Sequence, residues 1–146
     1  MTIKEIITDT ITLSKICFEC NINDKILQKE INHLIDTATS LRAKCAGLAF
    51  NQIGIIKRGF VMKIGIEHSF KSFINPKYIM KSPTVKARFE TCLSRPGMDP
   101  IKKRRSVKVK IEYWDPETKS IQIEVFRAFE ARVIQHEMDH LNGILI

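Results

Sequence analysis

The stretch Val107–Gly143, VKVKIEYWDPETKSIQIEVFRAFEARVIQHEMDHLNG, carries two periodicities in direct succession. Val107, Val109, Ile111 and Tyr113 alternate with polar residues, as in a strand with one buried face. Asp115-Pro116-Glu117-Thr118 reads as a turn, because proline presets φ and the aspartate can bond its own backbone. Ile121, Ile123 and Val125, extending to Arg127, then return as a partner strand. From about Phe129 to Leu141 the spacing becomes helical, and Gly143 stands where a left-handed cap would end that helix.

Upstream, Leu27, Ile31, Leu34, Ile35, Ala38 and Leu41 recur at helical spacing from Ile26 onward, with Asn23 or Asp24 as the expected cap. Cys45–Gly54, with glycines at 47 and 54, reads as an irregular stretch leading into strands. Gly59–Ile66 and the region Phe70–Ile74 are β-like, and Lys102-Lys103-Arg104-Arg105 reads as a solvated turn before a strand. The order is helix, several strands, final helix. It predicts an α+β fold in one domain, residues 1–146, with mostly antiparallel sheet packed around the C-terminal helix and an N-terminal helix burying its own apolar face.

Bulk composition narrows the functional classes. The chain has 146 residues, 44% hydrophobic and 27% charged, as an ordinary globular domain does. No apolar run is long enough for a bilayer and no secretory signal pattern opens the chain, so a cytoplasmic location without membrane contact is expected. The +8 charge favours anionic surroundings such as the ribosome, but no signature of sequence-specific nucleic-acid recognition accompanies it. Cys17-x-x-Cys20 has no second pair and no βαβ context, so both are expected to pack as reduced thiols.

Chemistry concentrates in His136-Glu137-Met138-Asp139-His140. Residues four apart share a helix face, so two imidazoles can hold one cation. Glu137 lies about 100° around the helix, where it can reach a water on that cation but not join the same face as a ligand. A catalytic divalent site takes a third protein ligand. Only Leu141–Ile146 follow His140 and none is a side-chain ligand, so the third is expected upstream, among His33, His68, the cysteines and the acids. Cys92 stands out by its context, Glu90-Thr91-Cys92-Leu93-Ser94; a thiolate with two imidazoles suits Zn²⁺ or Fe²⁺.

Three separated segments resemble the motifs of the peptide deformylases. Cys45-Ala46-Gly47-Leu48-Ala49-Phe50-Asn51-Gln52 resembles G-Φ-G-Φ-A-A-x-Q, where Φ is apolar. Glu90-Thr91-Cys92-Leu93-Ser94 resembles E-G-C-Φ-S, and His136–His140 is an intact H-E-x-D-H. The likeness runs from about Ile31 to the end of the sequence. The chain departs from the motifs at Cys45, Phe50, Thr91 and Arg95, where Phe50 would narrow the cleft and Thr91 would restrict backbone that glycine left free.

The resemblance implies metal-dependent removal of the formyl group from the N-terminal formylmethionine of nascent polypeptides. It implies one divalent ion on Cys92, His136 and His140, Fe²⁺ in the cell, with Zn²⁺, Ni²⁺ or Co²⁺ able to take the same ligands. Glu137 would be the general base for water activated by the ion, and Gln52 and the Leu93 N–H would donate to the oxyanion. Ala46, Gly47, Leu48 and Glu90 would bind substrate, Arg104 would pair with Glu90, and Asp139 would steady the motif. Val133 and Ile134 are candidates for the methionine pocket. Formylmethionyl peptides, a transient ribosome contact and a monomer complete the expectation. Two alternatives stay open: a divergent paralogue acting on another small N-acyl amide, and a non-catalytic, metal-stabilised, ribosome-binding module.

Overall fold

The computed structural model describes residues 1–67 and 69–146; His68, one of the upstream ligand candidates, lies outside them. After a short helix α1 (Thr10–Leu13) and the helix α2 (Leu27–Ser40) come β1 (Gly47–Ala49), β2 (Gly59–Ile64) and β3 (Ser69–Lys81). Then follow β4 (Val85–Glu90), β5 (Ile101–Ser106), β6 (Lys108–Asp115), β7 (Ser120–Arg127) and helix α3 (Ala128–Leu141). Five strands form an antiparallel sheet in the order β1-β2-β3-β6-β7, and β4 and β5 form a separate antiparallel ribbon. The α+β architecture is the expected one.

The alternation of side chains explains how one sheet carries two helices. On β2, Phe60 and Met62 join the cluster around α3, while Val61 joins the cluster around α2. Ala49 and Phe73 face α3 in the same way, and Leu48 and Ile74 face α2. These strands are buried on both faces and therefore read as continuous apolar runs. By contrast, Val109, Ile111 and Tyr113 of β6 all belong to the α3 side, and Ile121, Ile123 and Val125 of β7 stay exposed. That half of the sheet has one covered face, which is why its sequence alternates so cleanly. Aromatic contacts fill the α3 side, with Phe60 and Phe73 stacked at 4.9 Å between ring centroids.

Local expectations met three corrections. Helix α2 has no side-chain cap: Ile26 occupies the cap position, and Asp24 acts earlier by accepting from the Ile26 N–H at 3.1 Å. The basic run 102–105 is not a turn but the centre of β5, paired along its whole length with β4. Strand β3 also runs on to Lys81, well past Ile74. Cys17 and Cys20 are buried and unbridged; burial pushes their thiols up to about 11 and about 12, which keeps them protonated and unreactive.

The C-terminus of α3 is fastened at each exposed carbonyl. Gly143, at φ +71°, donates to the His140 carbonyl, and Ile144 donates to that of Asp139, a Schellman closure. The His140 carbonyl also accepts from Asn51 Nδ2 at 2.8 Å, and that of Leu141 from Cys17 N–H and Arg58. A Cβ on Gly143 would stand 2.3 Å from the Ser14 carbonyl oxygen. Gly143→Ala is therefore expected to cost roughly 1–3 kcal/mol of stability, from strain and overpacking together; urea unfolding of the variant checks it.

Candidate metal centre

Helix α3 supplies both histidines, and the loop after β4 supplies the cysteine. The ligand atoms of Cys92, His136 and His140 all lie within 4.8 Å of one another, with Cys92 Sγ 3.3 Å from His140 Nε2. His136 Nδ1 bonds Glu90 Oε1 at 3.0 Å, which leaves its Nε2 as the nitrogen available to a cation. Burial pulls His140 down to about 3, so its imidazole is neutral, the form that coordinates a metal. For His136 burial also acts downward, but the bonds to Cys92 and Glu90 outweigh it and carry the ring up to about 10. A cation bound there would take the place of that proton. Sulfur and two imidazole nitrogens, convergent and mostly shielded from solvent, fit a divalent transition-metal ion.

Glu137 lies beside the cluster, 3% exposed, and its Oε2 has no hydrogen-bond partner. Burial pushes its carboxyl up to about 7, against the opposing pull of His136 and Arg105. A base that titrates near neutrality, with one oxygen uncommitted, suits proton transfer. Gly47 sits directly against it: a Cβ there would come within 2.9 Å of Glu137 Oε1 and 2.8 Å of Val133 Cγ1. Glycine at this position is a requirement of close approach, not of backbone angle.

Gln52 is locked in one orientation. Its Oε1 accepts from the Ala49 N–H at 3.0 Å, so its Nε2 faces the cluster, 3.7 Å from Cys92 Sγ and 3.2 Å from Ser94 Oγ. The short 3₁₀ helix Phe50–Ile53 that presents it is completely buried. Ala46, Gly47, Leu93 and Val133 line a cleft of about 530 Å³ that opens onto His136 and Glu137. Strand β1 forms one edge of the five-stranded sheet and, among the described residues, pairs only with β2.

Several expectations need correction here. Arg104 does not hold Glu90; Arg105 does, with Nε and Nη2 on the two carboxylate oxygens at 3.0 and 2.9 Å. Arg104 stands opposite Ala87 on the exposed face, because a shift of one residue on a strand reverses the side. Glu90, expected to bind substrate, lines the cleft, with both its oxygens engaged by Arg105, Arg132 and His136. Those partners outweigh burial and hold its carboxyl well below the usual range. Asp139 bonds Arg105 and closes the network.

Ile134 belongs to the core, not to the cleft, and the Leu48 side chain packs under α2. Phe50 is buried in the α2 cluster against Gly59, whose missing side chain makes room for its ring, so it does not narrow the cleft. Thr91 and Arg95 do line the cleft, and Thr91 adopts no positive φ. Three residues were missed by sequence reasoning: Ser94, Asn51 and Arg132. Arg132 was within reach of it, lying one helical turn before His136 on the same face.

The family model described as polypeptide deformylase matches residues 3–146. A peptide deformylase of Clostridium beijerinckii is 35% identical over 144 residues, covering 99% of both chains. Peptide deformylase 1 of Bacillus subtilis is 34% identical, over 99% of this chain and 88% of its own length. The crystal structure of the peptide deformylase from Thermotoga maritima superposes with a TM-score of 0.88 at 31% identity, covering 99% of this chain and 95% of that one.

Proposed function

Because this chain belongs to the polypeptide deformylase family, we propose that residues 1–146 form one catalytic domain that hydrolyses the N-formyl amide of formylmethionyl peptides on an ion held by Cys92, His136 and His140. The observation that carries the reading is the convergence of those three ligands with a buried, uncommitted Glu137 and an oriented Gln52 amide. When bound, such an ion supplies Lewis-acid activation of water. Glu137 takes the proton of the attacking water and passes it to the nitrogen as the C–N bond breaks, giving formate and a free amine. Gln52 Nε2 and the Leu93 N–H donate to the oxygen of the tetrahedral intermediate. The free edge of β1, at Ala46–Leu48, pairs with the peptide as an added strand, and Val133 contributes to the methionine pocket.

The ion is Fe²⁺ in the cell, and Zn²⁺, Ni²⁺ or Co²⁺ can take the same sulfur–nitrogen set. No described helix is long and apolar enough to cross a membrane. In this reading the protein is a cytoplasmic monomer that meets its substrate at the ribosome. The test is release of free amine from a formyl-Met-Ala-Ser peptide by anaerobically purified protein, reloaded separately with Fe²⁺, Ni²⁺, Co²⁺ and Zn²⁺. No turnover with any of them would overturn the reading. Within it, Gln52→Ala is expected to lower kcat by roughly 10²–10³ with metal content unchanged, as loss of one oxyanion donor does.

A further inference from the structure

We propose that the β4–β5 ribbon and the groove beside it bind the phosphate backbone of RNA. The ribbon carries Lys86, Arg88, Lys102, Lys103 and Arg104, and none of the five forms an ion pair among the described residues. Its register puts Arg88 directly across from Lys103. Directly opposed residues share a face, and like charges so placed destabilise a strand pair. Among the described residues, the only polar contact of the Arg88 side chain is with the neighbouring Ala87 carbonyl, at 3.3 Å. The ribbon therefore keeps an internal repulsion that a polyanion would relieve.

The surroundings extend the same chemistry. Lys86 and Arg88 line one side of a groove of about 710 Å³, and Lys108 and Arg127 line another part of it. No acidic residue is among its described walls. Phe89 and Phe129, 70% and 67% exposed, also line it and offer flat apolar faces on which bases can stack. Lys102 and Arg104 project from the reverse face of the ribbon. Cations on both faces of a narrow ribbon suit a chain that wraps around it, whereas a flat lipid surface would meet one face alone. The groove shares Phe89, Phe129 and Arg132 with the catalytic cleft, so bound RNA would lie alongside the cleft mouth. The choice of RNA over DNA rests on the deformylase reading, since nascent polypeptides emerge from a machine built of RNA; the binding itself does not.

The test is fluorescence anisotropy of the full chain with a labelled single-stranded RNA at several salt concentrations. A DNA of the same sequence and phosphatidylserine vesicles are run in parallel, and hydrolysis of formyl-Met-Ala-Ser is measured on every variant. The expected result is binding that weakens steeply with salt, with a slope of about 0.7 per phosphate contact on logarithmic axes. Arg88→Glu and Lys103→Glu are each expected to weaken RNA binding at least tenfold and to flatten that slope. Each replaces a like-charge pair with an opposite-charge pair, so the unfolding midpoint stays level or rises, and peptide hydrolysis is unchanged. Lys4→Glu, which makes the same change of net charge at an exposed site far along the chain, is expected to bind nearly as the parent does. The proposal is overturned if RNA does not bind, if DNA or vesicles bind and RNA does not, if the ribbon variants bind as tightly as the parent, or if Lys4→Glu weakens binding as much as they do. Absence of hydrolysis in the parent protein would count against the enzyme reading alone and leave the binding result standing.

Discussion

Glu137→Gln keeps its metal and its fold but loses about 10²–10⁴ in kcat, the share that a positioned general base supplies. Neither neighbouring carboxylate is free to substitute. Glu90 is held by Arg105, Arg132 and His136, and Asp139 is held by Arg105. The glutamine is nearly isosteric, so loss of turnover with normal metal content separates the missing base from a collapsed site. Stability moves the other way. The folded-state carboxyl is pushed above its ordinary value of 4.5 to about 7, first by burial, so ionised Glu137 opposes folding. That penalty grows as pH rises from the ordinary value through the folded one and is fully present above it. Metal-free Glu137→Gln is therefore expected to match the parent near pH 4 and exceed it above pH 7. A variant that still turned over formyl-peptides would refute the assigned base.

Removing Arg105 should produce the largest loss of stability of any change described. Its side chain is 7% exposed and bonds two buried or half-buried carboxylates. Arg105→Ala leaves Glu90 with fewer cations than its burial demands, which typically costs about 3–5 kcal/mol. The pH dependence has a definite sign. Glu90 has a lowered folded pKa, so the stabilisation it gains is present above the ordinary carboxylate range and is lost as pH falls through the folded value. The gap between parent and variant should therefore narrow on acidification below about pH 4. Because Glu90 orients His136, metal affinity should also fall, by roughly 10- to 100-fold. Arg104→Ala is the control: its exposed side chain should matter by less than about 0.5 kcal/mol. Equal effects from the two arginines would refute the register described for β5.

The residues that meet at the candidate site were legible to very different degrees. His136, Glu137 and His140 could be read directly, because one helix sets their relation through its 3.6-residue turn. The hairpin of β6 and β7 was equally clear, since only one of its faces is covered and its pattern alternates. Strand β2 was harder, being buried on both faces, and β5 was hidden because its charges mask the alternation. Confusing Arg104 with Arg105 follows from that: without the strand, neither neighbour has a side. Phe50 was misplaced for a related reason, since its position depends on the room left by Gly59, nine residues away.

Local sequence spacing thus determined the helix that carries His136, Glu137 and His140, and the alternation that made the fold α+β. Only the tertiary structure decided which arginine clamps Glu90, that Gln52 turns its amine toward Cys92, and that the basic ribbon lies along the cleft. The physical reason is range. Helical and strand periods are set between residues a few positions apart, whereas the ion pairs and the ligand set join residues from separate elements, whose approach depends on how the whole core packs.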